Sequence, residues 1–132
     1  MEQLLKKLSD DLSSSLGESN WKIDTRFNAA TTTIQTAMAK DIQNLLESSF
    51  SKTWSVESTE PNSEIMEKVV GSVGGLGPGQ ILYTSDESVQ PIVYCAWWPW
   101  GNGNNVSLRI GIFDESYSSN QSIDAIRPYF NL

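Results

Sequence analysis

The sequence predicts an α+β fold: an antiparallel sheet of about four or five strands, a long helix packed on one face, and short flanking helices. Three observations carry that expectation. Residues Gln80–Phe113 contain three β-branched and aromatic runs, QILYTS, PIVYCAWWPW and NVSLRIGIF. They are broken by Asp86-Glu87-Ser88 and by Gly101-Asn102-Gly103-Asn104, which makes an antiparallel meander the simplest arrangement. Two earlier stretches, Trp21–Phe27 and Lys52–Glu57, alternate apolar and polar residues as strands with one wet face do. Elsewhere apolar residues recur every three or four positions, the spacing of one helix face. At 132 residues, with no internal repeat or linker, 1–132 is expected to form a single domain.

In chain order, Leu5, Leu8, Leu12 and Leu16 line one side of an N-terminal helix, with Leu4 widening the stripe. Gly17 stands where a residue of positive φ would end it. Asn28 breaks the Trp21–Phe27 strand. The long helix is expected over Thr32–Phe50, with Thr31 or Thr32 as its N-cap and Ile34, Met38, Ile42, Leu45, Leu46 and Ser49 as its buried stripe. Its three opening threonines lower helix propensity and leave the first turn the weakest part. Thr59–Asn62 reads as a turn around Pro61, after which Ser63 can cap a short helix carrying Ile65, Met66, Val69, Val70 and Val73.

Gly71–Gly79, GSVGGLGPG, invites comparison with a phosphate-binding loop. That chemistry wants a strand before the glycines and a helix after them, usually with a lysine. Here the order is reversed, and no Lys or Arg lies between Lys68 and Arg109, so a connecting loop is expected instead. In the second meander strand, Ile92, Tyr94, Ala96 and Trp98 share one face and Val93, Cys95 and Trp97 the other. Both faces are apolar, as in a central strand covered on both sides. In the third, Val106, Leu108, Ile110 and Ile112 oppose Ser107, Arg109, Gly111 and Phe113, which predicts a partly wet face. A final helix is expected over Ser122–Arg127, stopped by Pro128.

Composition limits the chemistry. The chain has no histidine and one cysteine, Cys95. Ser-His-Asp and Cys-His nucleophile systems therefore drop out, as does an intramolecular disulfide, and neither a zinc site nor any other metal or cofactor is expected. Nine basic residues against sixteen acidic ones give a net charge of −7. The basic residues are scattered, so neither nucleic acid nor an anionic membrane is expected as a partner. A basic protein surface suits this charge better. Met1–Gly17 lacks the continuous apolar run of a signal peptide, and a cytoplasmic location is the expectation.

The candidate site is the end of the second meander hairpin. Trp97, Trp98 and Trp100 crowd three indoles into four positions, followed by Asn102 and Asn104. Strand neighbours face opposite ways and Pro99 turns the chain, so at least one indole should stand at the hairpin end beside the amides. Asp114 and Glu115, with Asp86 and Glu87, fall at the opposite end of the meander. The leading expectation is a non-catalytic protein-interaction module of the small acidic adaptor, chaperone or toxin-neutralising inhibitor type. It would use its acidic surface and the Trp97–Trp100 hairpin. The alternative is a carbohydrate- or small-ligand-binding module built on the Trp/Asn end. A hydrolase using paired carboxylates comes third.

Overall fold

The computed structural model describes residues 1–17, 20–57 and 63–132. Its elements are α1 (Glu2–Leu16), β1 (Lys22–Asp24), β2 (Ala29–Gln35), α2 (Ala39–Ser49), β3 (Lys52–Ser55), α3 (Glu64–Ser72), β4 (Ile81–Thr84), β5 (Ile92–Pro99), β6 (Asn105–Phe113) and α4 (Ser119–Phe130). The strands form one six-stranded antiparallel sheet in the order β1-β2-β6-β5-β4-β3. The meander β4-β5-β6 is its centre, as expected. β3 extends it beyond β4, and the β1–β2 hairpin extends it beyond β6.

The two faces of β5 divide as the alternation foretold. Val93, Cys95 and Trp97 point into the larger core, where Leu5, Leu8 and Leu12 of α1, Ile42 and Leu46 of α2, and Ile126 and Phe130 of α4 cover the sheet. Each such side chain withdrawn from water contributes roughly 1.5–3 kcal/mol. Ile92, Tyr94 and Ala96 point the other way, into a smaller core closed by Met66 and Val69 of α3 and by Val73. Helices therefore lie on both faces of the sheet, rather than on one. Ser63 caps α3 through Met66 N–H, as the sequence suggested. In the glycine-rich connection that follows, Gly74, Gly75 and Gly79 take positive φ.

Four sequence expectations are corrected here. The sheet has six strands instead of four or five, because Ala29–Gln35, assigned in large part to the long helix, is β2. Ala30, Thr32 and Ile34 are buried in register with Ile110, Leu108 and Val106, and the β-branched threonines suit that pleated surface better than a helix turn. A short 3₁₀ turn at Thr36–Met38 then leads into α2, which spans 11 residues and is shorter than the 15-residue α1. Finally, α4 runs through Pro128 to Phe130. Phe130 is buried and packs on Trp21 at 4.6 Å, a contact that keeps the last turn wound despite the missing proline N–H. The strand predicted at Trp21–Phe27 is confined to Lys22–Asp24, and Asn28, at φ +53°, turns the chain into β2. The expected turn around Pro61, at Thr59–Asn62, lies outside the described residues.

Candidate functional site

The strand alternation separates the three hairpin tryptophans. Trp97 faces the larger core and is 3% exposed, so it leaves the candidate surface. Trp98 and Trp100 fall on the opposite face, where Trp98 is half-buried against the smaller core and Trp100 is 45% exposed. Trp98 lies directly across from Ser107. Trp100 reaches back to that serine, its indole Nε1–H donating to Ser107 Oγ at 2.8 Å.

The turn carrying Trp100 is braced from within and from the start of the 3₁₀ turn that follows β2. Trp100 N–H donates to Asn105 C=O at 2.8 Å, and Gly103 N–H to Trp100 C=O at 3.1 Å. Asn102 Oδ1 accepts from Asn104 N–H at 2.9 Å, so one of the two expected recognition amides is partly used in shaping the loop. Thr36 closes the arrangement. Its N–H donates to Asn104 C=O at 2.9 Å and its hydroxyl to Gly103 C=O at 2.8 Å. Neither Thr36 nor Ser107 was singled out from sequence. Ser107 was visible as a polar position on a wet face, whereas Thr36 was hidden inside the supposed helix.

From Trp100 the same face continues toward β2 as an open polar strip. Register places Ser107 beside Thr33 and Arg109 beside Thr31, with Lys22 next in line on β1. Thr33, Gln35 and Lys22 are exposed, and Thr31 and Ser107 are half-buried. Beneath the strip's inner end, Arg109 Nε holds Asp24 Oδ2 at 2.9 Å, and both side chains are largely buried. The Arg109 guanidinium also lies 5.2 Å from the centre of the Phe27 ring. Burial would raise the Asp24 carboxyl, but hydrogen bonds from Arg109 and Arg26, with the Arg109 charge, outweigh it and hold the group below its ordinary range.

The acidic pairs are not brought to the tryptophans. They sit at the opposite end of the meander, and each carboxylate has local partners. Asp86 accepts from the N–H and hydroxyl of Ser88, bonds that lower its pKa. Asp114 accepts likewise from Ser116, at 2.8 and 2.6 Å. Glu87 pairs with Lys52 at 2.7 Å, and Glu115 binds Lys68 at 3.0 Å and Gln90 at 3.1 Å. Among the described residues no group of His, Cys, Asp and Glu is arranged to hold a metal ion. Cys95 is wholly buried, which pushes its thiol upward. No helix among the described residues is long and apolar enough to cross a membrane.

Comparison with protein-family models, with curated proteins and with solved structures finds no match for this chain.

Proposed function

We propose that the protein is a non-catalytic interaction module that engages a partner protein through Trp100 and the polar strip beside it. The observation that supports this most is an indole 45% exposed at the tip of a hairpin yet tied by its own N–H to Ser107. A large ring already fixed in orientation loses little freedom on docking, the property of an interface hot spot. The −7 charge favours a partner with a basic rim, whose approach would be steered and salt-sensitive. The turn and ion-pair bonds of the four far carboxylates suit a structural role for them better than acid–base catalysis. The exposed ring face beside Asn102 and Asn104 favours a glycan as the second reading.

A photo-crosslinking residue at position 100, introduced in the cells that make the protein, separates these. The expected result is one discrete protein adduct from position 100 and none from position 67, on the outer side of α3. Absence of an adduct would overturn the reading. So would a saturable fluorescence shift with soluble glycans that Trp100→Ala abolishes, which would move the site to carbohydrate binding.

A further inference from the structure

At the end of β6 far from Trp100 lies a small pocket whose polar side chains have bonding capacity left over. It encloses about 170 Å³ between the β1–β2 turn, the C-terminal end of α3 and the segment leading from β6 into α4. The turn supplies Arg26 and Asn28, and the β6–α4 segment supplies Asp114, Ser119 and Ser122. Both charges are only partly engaged. Asp24 Oδ2 is held by Arg109 Nε at 2.9 Å, whereas Arg26 reaches the same oxygen only at 3.5 Å, so most donors of the Arg26 guanidinium are free. Asp114 accepts both Ser116 bonds on Oδ1, which leaves Oδ2 open. Among the described residues no group bonds the side chains of Asn28, Ser119 or Ser122. Tyr94, also in the lining, is 2% exposed, and the bond from its hydroxyl to Phe27 C=O is 3.4 Å long. A good O–H···O bond is about 2.7–2.8 Å, so this buried hydroxyl is poorly partnered and gains from a polar atom in the pocket.

We propose that this pocket binds a small zwitterion, a free α-amino acid the size of glycine or alanine, with its carboxylate on Arg26 and its ammonium on Asp114. The volume sets the size. At about 30 Å³ for each water-sized group, the pocket holds about five or six of them. The charge pattern sets the class. A simple anion would pair with Arg26 but be repelled by Asp114, and a simple cation would meet the reverse. A neutral ligand carrying both charges satisfies each end and is repelled by neither. The hydroxyls of Ser119 and Ser122 can donate to the ligand carboxylate or accept from its ammonium, and the Tyr94 hydroxyl gains the partner it lacks. Affinity is modest, because the Arg26 side chain is 71% exposed and an ion pair in contact with water is weak.

The pocket and Trp100 lie at opposite ends of β6, so this site stands or falls independently of the interaction-module reading. The test titrates the intact protein with glycine and with L-alanine, followed by heteronuclear NMR. Saturable shifts of the Asn28, Asp114 and Ser119 amides are expected, with a dissociation constant on the order of 1 mM and no shift at Trp100. Acetate and methylammonium each match one end of the pocket and should bind at least tenfold more weakly than glycine. Asp114→Asn keeps the Oδ1 that accepts from Ser116, and Arg26→Gln alters an exposed side chain. Both variants should keep the wild-type Tm and bind glycine at least tenfold more weakly. Should Asp114→Asn unfold, Arg26→Gln decides alone. The proposal is overturned if neither amino acid gives a saturable shift, or if folded variants bind glycine as the wild type does. Acetate binding as well as glycine would overturn it by making the pocket a plain anion site, and methylammonium doing so would make it a plain cation site.

Discussion

Tyr94 lies across Gly111: the two are paired between β5 and β6, and a Cβ built on the glycine would sit 2.5 Å from Tyr94 Oη and 2.7 Å from Cζ. The glycine is therefore required by its neighbour's ring and not by backbone strain, since its φ is ordinary for a strand. Tyr94 is itself buried in the smaller core that also holds Val69 and Met66, its hydroxyl donating to Phe27 C=O at 3.4 Å. Gly111→Ala should destabilise the protein by roughly 1–3 kcal/mol through overpacking, measured by urea denaturation. In a Tyr94→Leu background the same change should cost markedly less, and equal costs in the two backgrounds would contradict the contact.

Asp24 gives a pH dependence of definite sign. Its folded pKa lies below the unfolded one, so the Asp24–Arg109 pair contributes its full stability above the ordinary aspartate pKa of about 3.9. That contribution fades as pH falls through the lower folded value. Asp24→Asn should therefore cost stability at neutral pH, by less than the roughly 3–5 kcal/mol of a fully buried pair, because both groups keep some solvent contact. Thermal melts between pH 2 and about 7 should show the variant and the wild type converging at the acid end. A constant gap across that range would mean that the loss comes from packing and not from charge.

Much of this fold could be read from residue patterns, and the failures have physical causes. The β5 and β6 faces were legible because large apolar side chains alternate there without a break. β2 was not, because its buried positions are Ala30, Thr32 and Ile34. Small or hydroxylated residues weaken the two-residue signal, while Ile34, Met38 and Ile42 complete a helical one. Pairing with β6, a long-range event, decided the matter. At the hairpin, pattern alone put Trp97 opposite Trp98. The bond from Trp100 to Ser107 and the brace from Thr36 depend on the exact turn, which no periodicity encodes.

Pro128 tests how α4 tolerates its interruption. It lies in the last turn of α4, before the buried Phe130, and Asn131 ends the helix in the left-handed conformation. A proline in a helix middle costs about 3 kcal/mol relative to alanine. Near the C-terminus only one hydrogen bond is lost, and Pro128→Ala should stabilise by about 1 kcal/mol, seen as a rise in Tm. A fall in Tm would mean that the proline's constraint on the unfolded chain matters more than the missing bond.

The final prediction sets Trp97 against Trp100, two indoles separated by two residues and by the plane of the sheet. Trp97 is packed among Leu108, Val106 and the helices of the larger core, whereas Trp100 has one fixed edge and one wet face. Trp97→Ala should remove roughly 3–5 kcal/mol through the cavity it leaves. Trp100→Ala loses mainly a half-exposed ring and the bond to Ser107, and should cost about 1 kcal/mol, the net worth of a typical hydrogen bond. Urea unfolding of the two variants gives the comparison directly, and acrylamide quenching of single-tryptophan versions gives an independent one, with position 100 quenched strongly and position 97 hardly at all. If Trp100→Ala proved as damaging as Trp97→Ala, the hairpin end would be part of the core, and neither a protein partner nor a glycan would have an indole there to bind.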